Sequence, residues 1–256
     1  MKCIFVCDKN PVYADFWKPH AQYMYRAFGL ESVLYYLTDE KAHTMYSSSY
    51  ARVITIPLVP GIPHIVQALL AKWYFPAIES SDEPVLICDI DCFILSKDLF
   101  REVASSDTLF HLKSYEQNVP GYYIYGTPRQ LREFFKVGDM TFSEFCMKIL
   151  MDPKVPRICA ASQANKDASP DWKYFCIEEY YAFNCAKEYT HAKRDTMVHP
   201  QPGQNRICRS NNCYFSREKL QNNEYIDFHS PRPYHDNSSL IQSILVSVQT
   251  MQHSLK

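Results

Sequence analysis

Along the first hundred residues, short and almost wholly apolar runs alternate with polar punctuation and with apolar positions at helical spacing. CIFVC, Cys3 to Cys7, reads as a buried first strand; the turn DKNP follows, then an aromatic-rich helix from about Asp15 to Phe28. SVLYYL predicts a second strand and RVITIPL, Arg52 to Leu58, a third. Pro63 then opens a helix whose Ile65, Val66, Leu69, Leu70 and Trp73 share one face. After ESSDEP, Val85 to Cys88 forms the fourth strand, so the pattern is β-α-β.

Further on, TLFHLKSY (Thr108 to Tyr115) and GYYIYGT (Gly121 to Thr127) read as strands, and PRQLREFFKV starts a helix with Pro128 in its first turn. Asp152 to Asp171, rich in Pro, Ser, Asn and Lys, reads as a long surface loop, and HPQPGQN marks a turn. SSLIQSILVSVQTM places Leu240, Ile241, Ile244, Leu245 and Val248 at helical spacing, with Asn237 or Ser238 as its cap. No repeat, charge block or linker interrupts the chain. The expectation is one α/β domain over 1–256, a mixed, mainly parallel sheet flanked by helices.

Composition narrows the function. With 27 Lys+Arg against 28 Asp+Glu there is no basic excess, which argues against a nucleic-acid partner. Only 6 Gly are present, and neither a GxGxxG nor a GxxxxGK[ST] string occurs, so any phosphate needs another cradle. The opening MKCIFVCDKN is too short for a signal peptide and no stretch approaches a membrane span, so the expectation is a soluble, cytoplasmic protein. Ten Cys without a CxxC pair then read as reduced, mostly buried thiols, Cys208 and Cys213 included. The sequon Asn237-Ser238-Ser239 matters only in a secreted chain.

One stretch breaks the apolar pattern. VLICDIDCFIL, Val85 to Leu95, carries Asp89 and Asp91 in an otherwise almost wholly apolar run. Burying carboxylates there is unfavourable without compensating cations or hydrogen-bond donors. They fall at or just beyond the carboxyl end of the fourth strand, where open α/β sheets bind ligands. While the chain stays extended, side chains two apart share a face, and two carboxylates suit Mn²⁺ or Mg²⁺ with phosphate oxygens completing the shell. Near the carboxyl terminus, YIDFHSPRPYHDN sets His229 after a short strand and Arg232 three residues later: an imidazole for the ion and a guanidinium for a diphosphate. A capping or surface-pairing role for the aspartates, and a structural one for His229, are the bland alternatives.

The order strand-helix-strand, then LICDIDCFIL, then VPGYYIYGT resembles the nucleotide-sugar glycosyltransferases of the A fold, over about Met1 to Tyr234. The resemblance implies a Rossmann-like domain with a donor-binding half, 1–115, and an acceptor half with the C-terminal helix, 116–256. It implies Mn²⁺ or Mg²⁺ held by Asp89, Asp91 and His229, and donor contacts from Asp8, Lys9, Asn10, Lys72, Asp89 and Arg232, with Tyr13 near the base. It implies a nucleotide-sugar donor, a UDP-sugar first among them, and a glycan or other hydroxyl acceptor, hence a hexosyl- or pentosyltransferase. Gly121 would let a sugar approach the backbone closely. In DWKYFCIEEYYAFN the general base of an inverting enzyme would be Glu179, with Asp171 and Glu178 as rivals. An acidic pair favoured by a helix dipole is the competing reading of Glu178 and Glu179, as a solvated lysine is of Lys72.

The His229 segment is similar to the His...Lys-Pro-aromatic motif of retaining, glycogenin-like members. It departs from that motif in shorter spacing, a missing Gly and Arg232 in place of Lys, which leaves the stereochemical outcome open. Two other classes stay in view. A haloacid-dehalogenase-like phosphatase also uses Asp-x-Asp, but on the chain's first strand and followed by Thr or Val where Phe93 stands here. A non-catalytic carbohydrate-binding protein would keep the fold without turnover.

Overall fold

The structure is a computed structural model and describes residues 1–40, 45–97, 99, 109–111, 123–153, 174, 177–189, 192–194 and 204–254. Strands β1 (Lys2–Asp8), β2 (Glu31–Leu37), β3 (Ala51–Ile56) and β4 (Val85–Cys88) fall on the four apolar runs of the amino-terminal half. The chain between them forms α1 (Pro11–Ala14), α2 (Trp17–Phe28) and α3 (His64–Ala77). The segment DKNP, expected as a turn, caps α1: the Asn10 side chain accepts from Val12 N at 3.1 Å, and Pro11 supplies the first helical residue. Gly29, at φ 70°, ends α2 in the left-handed conformation that glycine adopts at no steric cost.

Beyond β4 come β5 (Cys92–Ile94), β6 (Leu109–His111), β7 (Tyr123–Gly126), α4 (Pro128–Phe134), α5 (Phe142–Leu150) and α6 (Ile177–Glu188). They are followed by β8 (Ala192–Arg194), β9 (Arg206–Cys208), a 3-10 turn (Arg209–Asn211), α7 (Arg217–Gln221), β10 (Asp227–His229) and α8 (Tyr234–Ser254). Among the described residues the main sheet has the order β3-β2-β1-β4-β7-β6-β8, and a small second sheet runs β5-β10-β9. β1, β2, β3 and β4 are mutually parallel, as are β6 and β8; β7 is antiparallel to both its neighbours. The molecule is thus a mixed, mainly parallel α/β structure, as the alternation of runs implied.

Alternate residues of each main strand serve opposite faces, and both faces are covered, as a parallel sheet requires. Phe5, Leu34, Leu86 and Tyr123 pack with Trp17, Met24, Phe93, Phe228, Ile244 and Val248. Ile4, Val33, Ile87 and Ile124 pack on the other side with Leu70, Trp73, Phe134, Phe145 and Ala182. Burial therefore reaches around most of α3, including Gln67 and Lys72, rather than the single stripe expected. Gln67 is satisfied by the backbone of Val59 and Ile62; the partners of Lys72 define the site.

One expectation needs correction, and two features carry no expectation. α8 begins at Tyr234, so Asn237 and Ser238 lie inside its first turns; their side chains bond back to the carbonyls of Pro233 and His235 instead of capping. The second sheet was not foreseen, because CFI, RIC and DFH are each three residues long and carry no periodicity. α5 was also missed, although Thr141 and Glu144 form a capping box at its start. Most of the 152–171 loop, Gly121, Asp171 and Trp172 lie outside the described residues. The described cysteines are all free and buried, and among the described residues no helix is long and apolar enough to cross a membrane.

Candidate functional site

The chain runs β1, β2, β3 toward one edge and then returns to place β4 on the other side of β1. In such a sheet the crevice at the carboxyl ends of β1 and β4 is the topological switch point, where ligands bind. Asp89 follows β4 there, Asp8 ends β1, and Lys9 and Asn10 follow it.

Asp89 and Asp91 are not extended. Cys92 N donates to the Asp89 carbonyl at 3.1 Å, which closes a four-residue turn and leads directly into β5. The single shared face expected for an extended Asp-x-Asp is therefore replaced by two settings. Asp89 Oδ1 lies 3.1 Å from Lys72 Nζ, and the same ammonium lies 3.5 Å from Glu178 Oε1. Asp91 faces the small sheet: its Oδ2 takes Arg209 Nη1 at 2.6 Å, Arg232 Nε at 3.4 Å and His229 Nε2 at 3.6 Å. Its backbone carbonyl accepts from both the amide (2.9 Å) and the hydroxyl (3.0 Å) of Ser230. Ile90 between them is buried, and its carbonyl lies 2.8 Å from His20 Nδ1.

The electrostatics follow from these contacts. Burial alone would raise the Asp91 carboxyl, but His229 and Arg209 outweigh it and bring the pKa down to about 2. Burial likewise pulls His229 down, and Asp91 on one side with Cys208 on the other prevails, raising it to about 9. For Cys208, burial raises the thiol while hydrogen bonds from His229 and Ser210 pull it down to about 6. Its Sγ is 3.8 Å from His229 Nδ1, so the ring is held through one nitrogen while the other faces Asp91. At the other carboxylate, burial lowers Lys72, but Asp89 and Glu178 more than restore it and hold the ammonium above its ordinary value. Burial raises Glu178 to about 7 against the pull of Lys72, and its Oε2 is buried with no hydrogen-bond partner among the described residues.

Could these residues hold a divalent ion? Asp91, Cys92 and His229 are the described group whose donor atoms come within ligating distance of one another. A carboxylate and an imidazole suit Mn²⁺ or Mg²⁺, whereas burial keeps the Cys92 thiol protonated, its pKa well above the ordinary value, so it makes no ligand for a hard ion. Asp91 fits the ion as it stands, and His229 fits once the ring gives up the proton that Asp91 and Cys208 help it hold, so binding of the ion at this pair releases a proton. Asp89, on the same turn, is committed to Lys72 and stands outside that group.

Of the other predicted residues, Arg232 is brought to the site: its guanidinium lies over the Tyr13 ring at 4.7 Å and donates to the Tyr13 hydroxyl. Asp8 accepts from Asn10 N at 3.0 Å and Asn10 caps α1, so both also serve the turn; Lys9 is exposed, 3.9 Å from Glu40. Of the acidic pair, Glu178 is the buried one that reaches Lys72, while Glu179 is half-buried beside it. Sequence reasoning missed Arg209, Cys208 and His20. An arginine directly after the strand RIC is the only local signal for the first, and nothing in the sequence ties it to a motif 118 residues earlier.

A buried pair braces the site from below. Arg206 Nη2 and Asp227 Oδ2 are 2.8 Å apart, and Tyr123 of the main sheet donates to the same oxygen at 3.0 Å, joining the two sheets.

No family model and no curated protein matches this chain. Among solved structures it is similar to an active-site mutant of LgtC, at 12% identity and a TM-score of 0.48, with 96% of each chain covered. It is also similar to the galactosyltransferase LgtC in complex with donor and acceptor sugar analogs, at 10% identity and a TM-score of 0.45, over 99% of this chain and 96% of that one. Likeness at this level identifies neither substrate nor chemistry for this chain, whose own residues must carry both.

Proposed function

We propose that the protein is a divalent-ion-assisted glycosyltransferase, moving a sugar from a nucleoside-diphosphate donor, a UDP-sugar first among them, to an acceptor hydroxyl on a glycan or similar molecule. The observation that carries this reading is the cluster at the switch point. One buried carboxylate meets an imidazole and two guanidiniums, so fixed positive charge exceeds negative where an open α/β sheet takes its ligand. Such a site favours an anion, and the Asp91–His229 pair beside it favours a cation; a diphosphate with its metal ion satisfies both.

In this reading the Asp8–Asn10 turn and Tyr13 border the base and ribose, and Asp91 and His229 hold Mn²⁺ or Mg²⁺ with Asp89 adjacent. When bound, the ion supplies positive charge to the departing nucleotide. Arg232, braced on Tyr13, presents its guanidinium to the same developing charge without reorganising. For an inverting transfer Glu178, rather than Glu179, takes the acceptor proton: its pKa of about 7 suits a base working near neutrality, and among the described residues Oε2 has no competing partner. Lys72 positions Glu178 and Asp89 against each other. In this reading the halves 1–115 and 116–256 share the donor site, since His229 and Arg232 of the second half meet Asp91 of the first.

Thermal denaturation with UDP, GDP and dTDP, each with and without Mn²⁺, tests the reading. Ligand at 100 times its dissociation constant adds ~2.7 kcal/mol of stability. A shift that needs Mn²⁺, prefers one base and disappears in Asp91→Ala is expected. No shift with any nucleotide would sink the proposal, and hydrolysis of p-nitrophenyl phosphate dependent on Asp89 would favour the phosphatase alternative.

A further inference from the structure

The contacts of Asp91 are lopsided. Three cationic groups crowd Oδ2, while Oδ1 is approached by the Cys92 thiol at 4.0 Å. The shortest of the three contacts, from Arg209 at 2.6 Å, occupies the oxygen that faces His229 Nε2. A divalent ion shared by Asp91 and His229 would therefore stand against the Arg209 guanidinium, and like charges at that range repel strongly.

The two arginines are held differently. Arg232 lies over the Tyr13 ring and bonds its hydroxyl as well as Asp91, so it has an anchor that does not depend on the carboxylate. Arg209 sits at the start of a three-residue 3-10 turn closed by Asn212 in the left-handed conformation. Its side chain is 30% exposed, and among the described residues its guanidinium is hydrogen-bonded to Asp91 alone. A guanidinium has five N–H donors and one of its nitrogens is engaged, so most of its capacity for phosphate oxygens is unused.

We propose that Arg209 is an exchangeable counter-ion: it neutralises Asp91 in the free protein and moves to the donor's diphosphate when a divalent ion takes its place at Asp91. This rests on the nucleotide-sugar reading and adds an order to it. Metal and nucleotide enter together, because the ion alone must displace Arg209 without giving it a new partner, whereas the ion–diphosphate complex supplies one. The site is thereby kept from filling with free cation.

Arg209→Ala and Arg209→Gln separate this role from mere support of Asp91, because the expected effects have opposite signs. Mn²⁺ alone, titrated by calorimetry or by loss of its free EPR signal, binds both variants roughly ten-fold or more tighter than wild type. UDP at saturating Mn²⁺ binds both roughly ten-fold or more weaker. The two variants differ in size and polarity, so agreement between them excludes a packing artefact. Mn²⁺ affinity unchanged or weakened in both, or UDP affinity unchanged, would overturn the proposal. If wild type binds none of UDP, GDP or dTDP, the donor reading itself fails; the Mn²⁺ titration still reports whether Arg209 and a cation compete for Asp91, so the two failures are distinguishable.

Discussion

His20 bonds the backbone of the turn that carries the two aspartates, and its response to lowered pH can be isolated by substitution. The ring is wholly buried, stacked on Phe93 at 4.3 Å and tilted against Phe5 at 4.4 Å, with Nδ1 donating to the Ile90 carbonyl at 2.8 Å. Nε2 has no partner among the described residues, so a second proton would put an unsatisfied charge in an apolar core. Burial accordingly lowers its pKa from 6.5 to about 4, although the Ile90 carbonyl and Asp91 oppose that shift. Above the unfolded value neither state binds the proton and His20 adds no pH dependence. As the pH falls from 6.5 toward 4, the unfolded chain takes up a proton that the folded chain refuses. Stability therefore drops by ~1.4 kcal/mol per pH unit, about 3 kcal/mol in all. Asp227 and Glu178, both raised by burial, to about 6 and about 7, work in the opposite direction, since the folded state then binds the extra proton. The contribution of His20 must be read as a difference from His20→Gln, whose amide can still donate to Ile90 but does not titrate. Urea midpoints followed by tryptophan fluorescence should show wild type more stable near pH 7, with the gap closing by about 2–3 kcal/mol near pH 4.5. A gap that stays constant over that range would refute a neutral, buried His20 supporting the turn.

Further expectations concern the brace, the caps and the base. Asp227→Ala leaves the buried Arg206 guanidinium without its carboxylate and should cost ~3–5 kcal/mol in chemical denaturation; a loss under about 1 kcal/mol would mean the pair is dispensable. Thr141→Ala removes one half of a capping box and should cost about 1 kcal/mol, read from the same curves. Glu178→Gln should lower the transfer rate by ~10²–10⁴ with nucleotide affinity little changed, whereas Glu179→Gln should remain active; the reverse ranking in steady-state assays would reassign the base.

How much of this could be read from the chain alone depended on the length over which a signal is written. β1 to β4 were legible as short apolar runs bounded by polar punctuation, and α3 from the helical spacing of its apolar positions after Pro63. Asp91, His229 and Arg232 were legible because charged groups in apolar or proline-rich surroundings call for a partner, and the fold brings them together. The small sheet was not, since three-residue strands gain their stability from tertiary pairing: Phe228 lies opposite Phe93 across a separation no local pattern records. Arg209 entered the site only through that pairing, which sets β9 beside β10 and its following residue on Asp91. The conformation of Asp-Ile-Asp was misjudged for a related reason. A four-residue turn joins two strands of different sheets there, and the bond from Cys92 to Asp89 is invisible until β5 is known to exist. That Glu178 rather than Glu179 meets Lys72 follows from the helical phase of α6, which the sequence does not fix.

The most direct test of the central claim is release of nucleoside diphosphate from a panel of UDP-, GDP- and dTDP-sugars in the presence of Mn²⁺, comparing wild type with Asp91→Asn. The account predicts release from one donor class, stimulated by a hydroxyl acceptor and reduced at least ~10²-fold in the variant, because Asp91 organises both the ion and the arginines. Release that is unaffected by Asp91→Asn, or none from any donor while those nucleotides bind, would contradict it; the second result would identify a sugar-nucleotide-binding protein without transferase chemistry.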